Sequence, residues 1–516
     1  LSFTTATALR PYQTDGATWI YNKLSQPDTR AVLLCDEPGL GKTVQALTAA
    51  RRLNARRGLV VAPAGARRVW AMEITRWFPD WTGRIVIVEP GIPPVKLLPL
   101  LDRQDVIVLV SYDVLSQTPP TMAQALTGRR WDLLILDEAH YLKNPSNRTL
   151  AVYGRKGASE GLHASCERVL LLTGTPTPNH AAELWFHIRA LWPSVLLVPD
   201  RRPNTQKPWR QLSHVEFEEQ VTDYKDTPWG RQIIRSKNQP WLRDRMRPFV
   251  LRRTKARVLP ELPALQLQDI PLAVRDEVLD NHLTQEAREL ARRILATARD
   301  DDDILAALHR SPLDNGEPPL ASLRRQLGEM KVAATVEWVA ERLDCGIAKI
   351  ILFGWHLSVL EHLHRQLAQY DPVLITGATS PAGRQRAIDL FQNRPQVRVF
   401  VGQIQAAGTA ITLTAASEVA IVEPSWVPGE NVQAIDRAHR LGQHDSVLAS
   451  FLFIPGTLDE RIMSVFRRKA RDIAKLHDDN PDDNETQGGR RLHGPGNPDL
   501  HRNRSAKRVR AVSQVD

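Results

Sequence analysis

Cysteine is almost missing from this chain. Its 516 residues hold three, Cys35, Cys166 and Cys345, set so far apart that they suggest neither a metal knuckle nor a disulfide framework. Such scarcity points to a reducing interior. Long apolar runs are missing too: no stretch reaches the roughly 18 to 20 apolar residues that a membrane span requires, and the first residues carry no signal-like apolar segment. A soluble, cytoplasmic protein without membrane contact is expected. Lysine is scarce, so arginine supplies most of a net charge of +10. That balance suits a polyanion such as nucleic acid, or else a basic solvated surface. The chain opens on Leu1 rather than methionine, so this need not be its natural start.

What is present is alternation. Between Ala31 and Ile135 the runs AVLLC, GLVVAP, RIVIVEP, DVIVLVSY and WDLLILDEAH read as successive buried strands, and TVQALTAARRLNARR as an intervening helix. RVLLLTGT near residue 168 adds a sixth strand. Strand, helix, strand repetition means a parallel sheet covered on both faces. Residues 194–246 lack a clean strand pattern and read as an irregular or helical insertion, and 272–345 read as helical. A second alternating set follows, with KIILFGW, PVLITG, VRVFVGQ, SEVAIVEP and VLASFLFI as strands. The expected α/β architecture is two parallel-sheet lobes, residues 1–193 and 346–476, joined through a linking region at 194–345. Residues 477–516 pair an acidic block with a basic one and read as a disordered tail, or as one that grips nucleic acid.

Chemistry enters at CDEPGLGKT, residues 35–43, between a strand and a helix. The phosphate-loop pattern G-x-x-x-x-G-K-[ST] is met at Gly41, Lys42 and Thr43, while Asp36 stands where the first glycine belongs. Gly39 and Gly41 let the backbone approach oxygen atoms, Lys42 supplies a cation for the outer phosphates, and Thr43 offers a hydroxyl to Mg²⁺. The same site needs a carboxylate at the end of a neighbouring strand. LLILDEAH provides Asp137 for the metal and Glu138 to polarise an attacking water. In QAIDRAHRLGQ, Arg437 and Arg440 are three apart on one helical face, where both could reach across a cleft to a γ-phosphate.

The DEAH stretch together with LLLTGTPTPNHAAELW at 170–185 resembles the helicase-like ATPases of superfamily two. LRPYQTDGATWI at 9–20, MRPFVLRRTKARVLPELP at 246–263 and the motif VI match at 433–443 narrow the resemblance to the Snf2 (Swi2/Snf2) double-stranded DNA translocases. In that family an acid before x-GLGKT is the ordinary form of the loop. The resemblance covers residues 9 to about 470 and implies two RecA-like lobes with ATP and Mg²⁺ between them. It implies nucleotide contacts from Arg10, Gln13, Asp36, Glu37, Gly39, Leu40, Gly41, Lys42, Thr43 and Gly408, with Gln13 reading the adenine edge. Coupling of hydrolysis to movement falls to His140, Thr173, Gly174, Thr175 and Gln433. The segments APAGARRVW and VSYDVL correspond to parts that contact the DNA backbone. Arg67, Arg68, Ser111, Arg252 and Arg253 are therefore the DNA candidates. QIQAAGTAITLTAA at 403–416 departs from the family, with Gln405, Ala407 and Ala410 replacing an arginine and two glycines, and its character is closer to the annealing-helicase (fork-remodelling) branch.

The reading is a Mg²⁺-dependent ATPase that translocates on double-stranded DNA. A strand-separating DNA or RNA helicase and a catalytically weak DNA-binding scaffold stand as alternatives. A monomer is expected, with the insertion or the tail as the place for a protein partner. The arginine-rich, compact chain points to a bacterial or phage source and a place on the nucleoid.

Overall fold

The computed structural model describes residues 8–155, 159–174, 176–177, 180–200, 208–227, 230–274, 319–407, 411–425, 427–461 and 463. The apolar runs of the N-terminal half form strands β1 (Ala31–Leu34), β2 (Arg57–Ala62), β3 (Ile85–Ile87), β4 (Val106–Ser111) and β5 (Trp131–Asp137). A short ribbon of β6 (Gly154–Arg155) and β7 (Ser159–Glu160) comes before β8 (Cys166–Leu172). These strands, without the ribbon, are six of the seven members of one parallel sheet in the order β13-β1-β8-β5-β2-β4-β3, where β13 is Val250–Leu251. Successive side chains of a strand point to opposite faces. Leu33, Leu59, Val61 and Leu134 accordingly pack into one core and Val32, Leu34, Val60 and Leu133 into another, one on each side of the sheet. Strands buried on both faces read as unbroken apolar runs, which is why this sheet was legible.

The C-terminal sheet follows the same logic. Its order is β14-β19-β18-β15-β17-β16, again all parallel. The strands are β14 (Leu265–Pro271), β15 (Ile350–Gly354), β16 (Val373–Ile375), β17 (Val399–Gln403), β18 (Glu418–Ile421) and β19 (Val447–Phe453). Ile351, Phe353 and Val419 face one core; Ile350, Leu352 and Ala420 face the other. The helix Pro319–Asp344 covers the second face, with Val332, Val339 and Leu343 in its core. It is fastened by the buried Lys331, whose Nζ donates to the Val422 carbonyl and, at 3.0 Å, to Asp459.

The linking region is corrected by these pairings. Val250–Leu251 closes the edge of the first sheet, and Leu265–Pro271 opens the edge of the second, so only residues 252–264 run between the two sheets. Helix Pro319–Asp344 belongs to the second lobe rather than to a linker. Nor is 194–246 an irregular insertion. It holds the ribbon of β9 (Leu197–Pro199) and β10 (Trp209–Gln211), the hairpin of β11 (Thr222–Thr227) and β12 (Gly230–Ser236), and two short helices. Its Val195, Phe217, Val221, Leu242 and Met246 are buried in the first lobe's core. The expected tail at 477–516, and residues 275–318 of the expected helical stretch, lie outside the described residues. Among the described residues no helix is long and apolar enough to cross a membrane.

Candidate active site

Parallel strands deliver their C-terminal ends to one edge, and the site is built there. Behind β1 the loop turns into helix α2, defined here as Lys42–Arg52, through Gly39 at φ +90° and Gly41 at φ +74°. Both lie in the left-handed region where a side chain is strained. Gly41 also has no room: a Cβ there would stand 2.5 Å from Nε2 of Gln13. Gln13 itself is buried, accepts the Arg10 N–H at 3.0 Å and donates to the Leu40 carbonyl at 3.4 Å, which sets its amide against the loop. Arg10 pairs with Glu261 at the surface. Lys42 folds its ammonium across the loop, donating to the carbonyls of Asp36 at 2.8 Å and Glu37 at 3.4 Å. Thr43 is half-buried in the first turn of α2.

Two of the residues expected at the nucleotide have carboxylates bonded within the protein. The carboxylate of Asp36 is fully buried: it accepts from Arg253 Nε at 3.0 Å, Arg253 Nη2 at 2.5 Å and Gln45 Nε2 at 3.1 Å. Glu37 uses its Oε2 to accept the N–H of Lys255 at 2.7 Å. Both acids hold the loop to the segment after β13. Pro38, the other unusual residue of the loop, lies against Gly174, where a Cβ would come 2.8 Å from the proline Cγ.

The metal candidate sits at the end of β5. Trp70 Nε1 donates to Asp137 Oδ2 at 2.8 Å, and the Tyr112 hydroxyl donates to the Asp137 carbonyl at 2.8 Å. Burial, and then the charge of Glu138, push the Asp137 carboxyl up to about 7. Glu138, at φ +49°, is raised as well by burial, against the opposing pull of Lys42 and Arg437. A carboxylate from Asp137 and a hydroxyl from Thr43 would suit Mg²⁺, which keeps waters and substrate phosphates as its other ligands. No cluster of three His, Cys, Asp or Glu exists among the described residues to suit a more demanding metal. His140 approaches both Thr173 Oγ1 at 3.0 Å and Glu138 Oε2 at 3.3 Å. Burial pushes His140 down to about 3, so it is neutral: it hydrogen-bonds Thr173 and stands beside Glu138 without forming an ion pair.

The second lobe comes down on this edge. The helix Pro428–Ile435 ends before the arginines, so Arg437 and Arg440 sit on a turn rather than on one helical face. They address different targets. Arg437 is close enough to Glu138 for each charge to act on the other, and burial pushes it down to about 10. Arg440 donates to the Ile411 carbonyl at 3.0 Å, and its Cβ lies 3.4 Å from where a Cβ on Gly39 would be. Tyr12 and Leu40 of the first lobe, Leu259 of the connecting segment and Leu441 of the second share one apolar patch beside the loop. Next to the site a cleft of about 710 Å³ runs between the lobes, lined by Glu138, His140, Lys143, Asn144 and Arg148 on one side and Gln405 and Gln433 on the other. Lys143, Asn144 and Arg148 were not singled out in the sequence, although the polar run directly after DEAH is the signal that marks them. Thr175, Gly408 and Ala410 lie outside the described residues.

The DNA candidates fare unevenly. Arg67 is buried and spends its guanidinium on the carbonyls of Val88 and Ala64 and on Glu89 at 3.2 Å. Arg253 is committed to Asp36, and its exposure is equally small. The buried Ser111 hydroxyl accepts from Val114 N–H at 3.3 Å, capping the short helix Tyr112–Leu115. These three are structural in the fold described. Arg68 is exposed and reaches Glu89 at 3.2 Å; Arg252 is half-buried, close enough to Cys35 to act on its thiol.

The family profile described as SNF2-related domain matches residues 12–295, and that of the helicase conserved C-terminal domain matches 339–442. The SWI/SNF-related matrix-associated actin-dependent regulator of chromatin subfamily A-like protein 1 of Xenopus tropicalis is 29% identical over 474 residues, which is 90% of this chain and 44% of that protein. The DNA annealing helicase and endonuclease ZRANB3 of Mus musculus is 26% identical over 476 residues, 90% of this chain and 40% of that protein. The chain thus spans less than half the length of these two relatives. A solved SWI2/SNF2 ATPase core of Sulfolobus solfataricus in complex with dsDNA aligns with 91% of this chain and 95% of its own at 24% identity, with a TM-score of 0.41.

Proposed function

This chain belongs to the SNF2-related family, and from that premise we propose that it is a Mg²⁺-dependent ATPase that hydrolyses ATP between its two lobes and moves along double-stranded DNA. One observation carries the reading. The loop with Lys42 and the turn with Arg437 and Arg440 come from different lobes, yet meet over Gly39 and Glu138. A site assembled this way is complete only when the lobes are together, so a cycle of hydrolysis becomes a cycle of relative movement.

The roles follow from placement. Gln13 reads the adenine edge beside Leu40; the backbone N–H groups at the start of α2 and the Lys42 ammonium receive the outer phosphates. Mg²⁺, held by Thr43 and Asp137, would neutralise charge on the transferring phosphoryl group. Glu138, beside Arg437 at the end of β5, orients the attacking water and takes its proton. Arg437 and Arg440 stabilise the transition state with charges that stay on throughout. His140 and Thr173 pass the state of Glu138 to the strand end at β8, and Gln433 faces the same space from the other lobe.

Duplex DNA is the proposed track because the chain carries +10 net charge and a relative is named a DNA annealing helicase. Arg68, and along the cleft Asn144 and Arg148, whose guanidinium bonds Asp113 at 2.6 Å on the exposed surface, are better placed to grip phosphate than the buried Arg67 and Arg253. Work on DNA would put the chain on the nucleoid of a bacterial or phage-infected cell. The test is an ATPase assay on the purified chain with duplex, single-stranded DNA and RNA, joined to a triplex-displacement assay for movement. Stimulation by duplex, lost in Lys42→Ala and Glu138→Gln while DNA binding persists, is expected; hydrolysis indifferent to duplex would sink the proposal.

A further inference from the structure

We propose that residues 252–259 form a strap that holds the arginine-bearing turn of the second lobe in register with the phosphate loop, and that Lys255 is its positioning residue. The proposal rests on the ATPase reading above and deepens it. On the loop side the strap is fastened several times over. Cys35 N–H donates to the Leu251 carbonyl at 2.7 Å and Glu37 N–H to the Arg253 carbonyl at 3.1 Å. In return Lys255 N–H donates to the Glu37 carboxylate at 2.7 Å, and the Arg253 guanidinium holds Asp36 and, at 2.7 Å, Gln45 Oε1. These contacts account for both acids of the loop without assigning either to phosphate.

On the other side the polar grip is a single ammonium. Lys255 Nζ donates at 2.5 Å to Asp436 Oδ1 and at 2.5 Å to the carbonyl of His439. Asp436 comes immediately before Arg437, and His439 immediately before Arg440, so one cation clamps the residue ahead of each arginine. The Lys255 and Asp436 side chains are only 6% and 7% exposed, and a buried charge pair of this kind is directional because neither partner has water to fall back on. Gly39 completes the arrangement. A Cβ at that position would lie 3.6 Å from Lys255 Cε and 3.4 Å from Arg440 Cβ, so the loop's apex, the strap and the turn are in contact. Farther along, His439 Nε2 lies 2.8 Å from the Pro263 carbonyl, and Leu259 packs with Leu40 and Leu441.

The experiment uses the full chain with Lys255→Met and, as a nearly isosteric variant that breaks the same tie, Asp436→Asn. In nucleotide-free protein, hydrogen exchange across residues 434–443 should speed up by about tenfold in either variant, since the turn loses its anchor. The duplex-stimulated kcat should fall by about tenfold or more while KM for ATP moves by less than about threefold, and the double variant should be no worse than the poorer single one. Unchanged exchange across 434–443, or losses in kcat that simply add, would overturn the strap. If the parent chain shows no ATP hydrolysis, the ATPase reading has failed, and the exchange measurement alone still decides whether Lys255 holds the turn.

Discussion

Replacing Asp36 by glycine would give this chain the ordinary G-x-x-x-x-G-K-T loop, and the structure says the result should be worse. Asp36 has no exposed surface and receives three hydrogen bonds, two from Arg253 and one from Gln45. Asp36→Gly leaves the Arg253 side chain, 10% exposed, with a buried charge and no carboxylate. Breaking a buried pair by removing one partner costs about 3–5 kcal/mol. At about 2–4 °C per kcal/mol for a domain of some 150–250 residues, the first lobe should melt roughly 6–20 °C lower. Differential scanning calorimetry on the full chain resolves this, because the two lobes need not unfold in one transition. Adding Arg253→Met removes the stranded charge and should return much of the lost stability, though not the tie between loop and strap. Melting within about 2 °C of the parent, with nucleotide affinity intact, would refute the assignment of Asp36 as a counter-ion.

Further outcomes are expected. Gly174→Ala places a methyl 2.8 Å from Pro38 Cγ and should lower stimulated hydrolysis by about tenfold, with Pro38→Ala in the same chain restoring part of it; steady-state rates of the three variants decide. The buried His187, hydrogen-bonded at 2.7 Å to the Tyr153 hydroxyl, is pushed down by burial to about 3, so it is neutral in the fold while the unfolded chain takes up a proton below its ordinary value. Its stabilising share is complete above about pH 6.5 and is lost at about 1.4 kcal/mol per pH unit as pH falls toward 3. Denaturant titrations of His187→Gln should therefore show a flatter acid limb, and parallel limbs would contradict this. The logarithm of the duplex binding constant should fall linearly with the logarithm of salt, and Arg148→Ala, by removing one phosphate contact, should reduce the slope by about one. A filter-binding series at several salt concentrations measures both slopes.

Legibility divides along physical lines. The strands of both sheets that are buried on two faces announced themselves as apolar runs, and the loop and DEAH stretch were found because their chemistry depends on local order. One edge strand of each sheet was not. Val250–Leu251 is only two residues long, and LQLQDIP alternates leucine and glutamine because it borders the second sheet with Leu265 and Leu267 partly in solvent. The hairpin of β11 and β12 was hidden by charges that pair across it, Asp223 with Arg235 at 2.7 Å. Arginines were the harder case. Sequence shows that Arg67 and Arg253 carry charge, but the partner of Arg253 lies 217 residues away, and only the folded chain shows that charge to be already spent. The turn after Ile435 escaped for a similar reason, since arginines spaced three apart look helical whether or not the helix continues.

Scarcity of thiols has a practical side. Cys35 and Cys166 are buried, and burial pushes both thiols up to about 12, so at neutral pH almost none of either exists as the reactive thiolate. Cys345, just past the helix Pro319–Asp344, is exposed. The unmodified chain therefore offers maleimide dyes one address, and that address is on the second lobe. A single cysteine introduced on the first, at exposed Asp28 for instance, would turn the protein into its own distance gauge without removing any native residue from the cores.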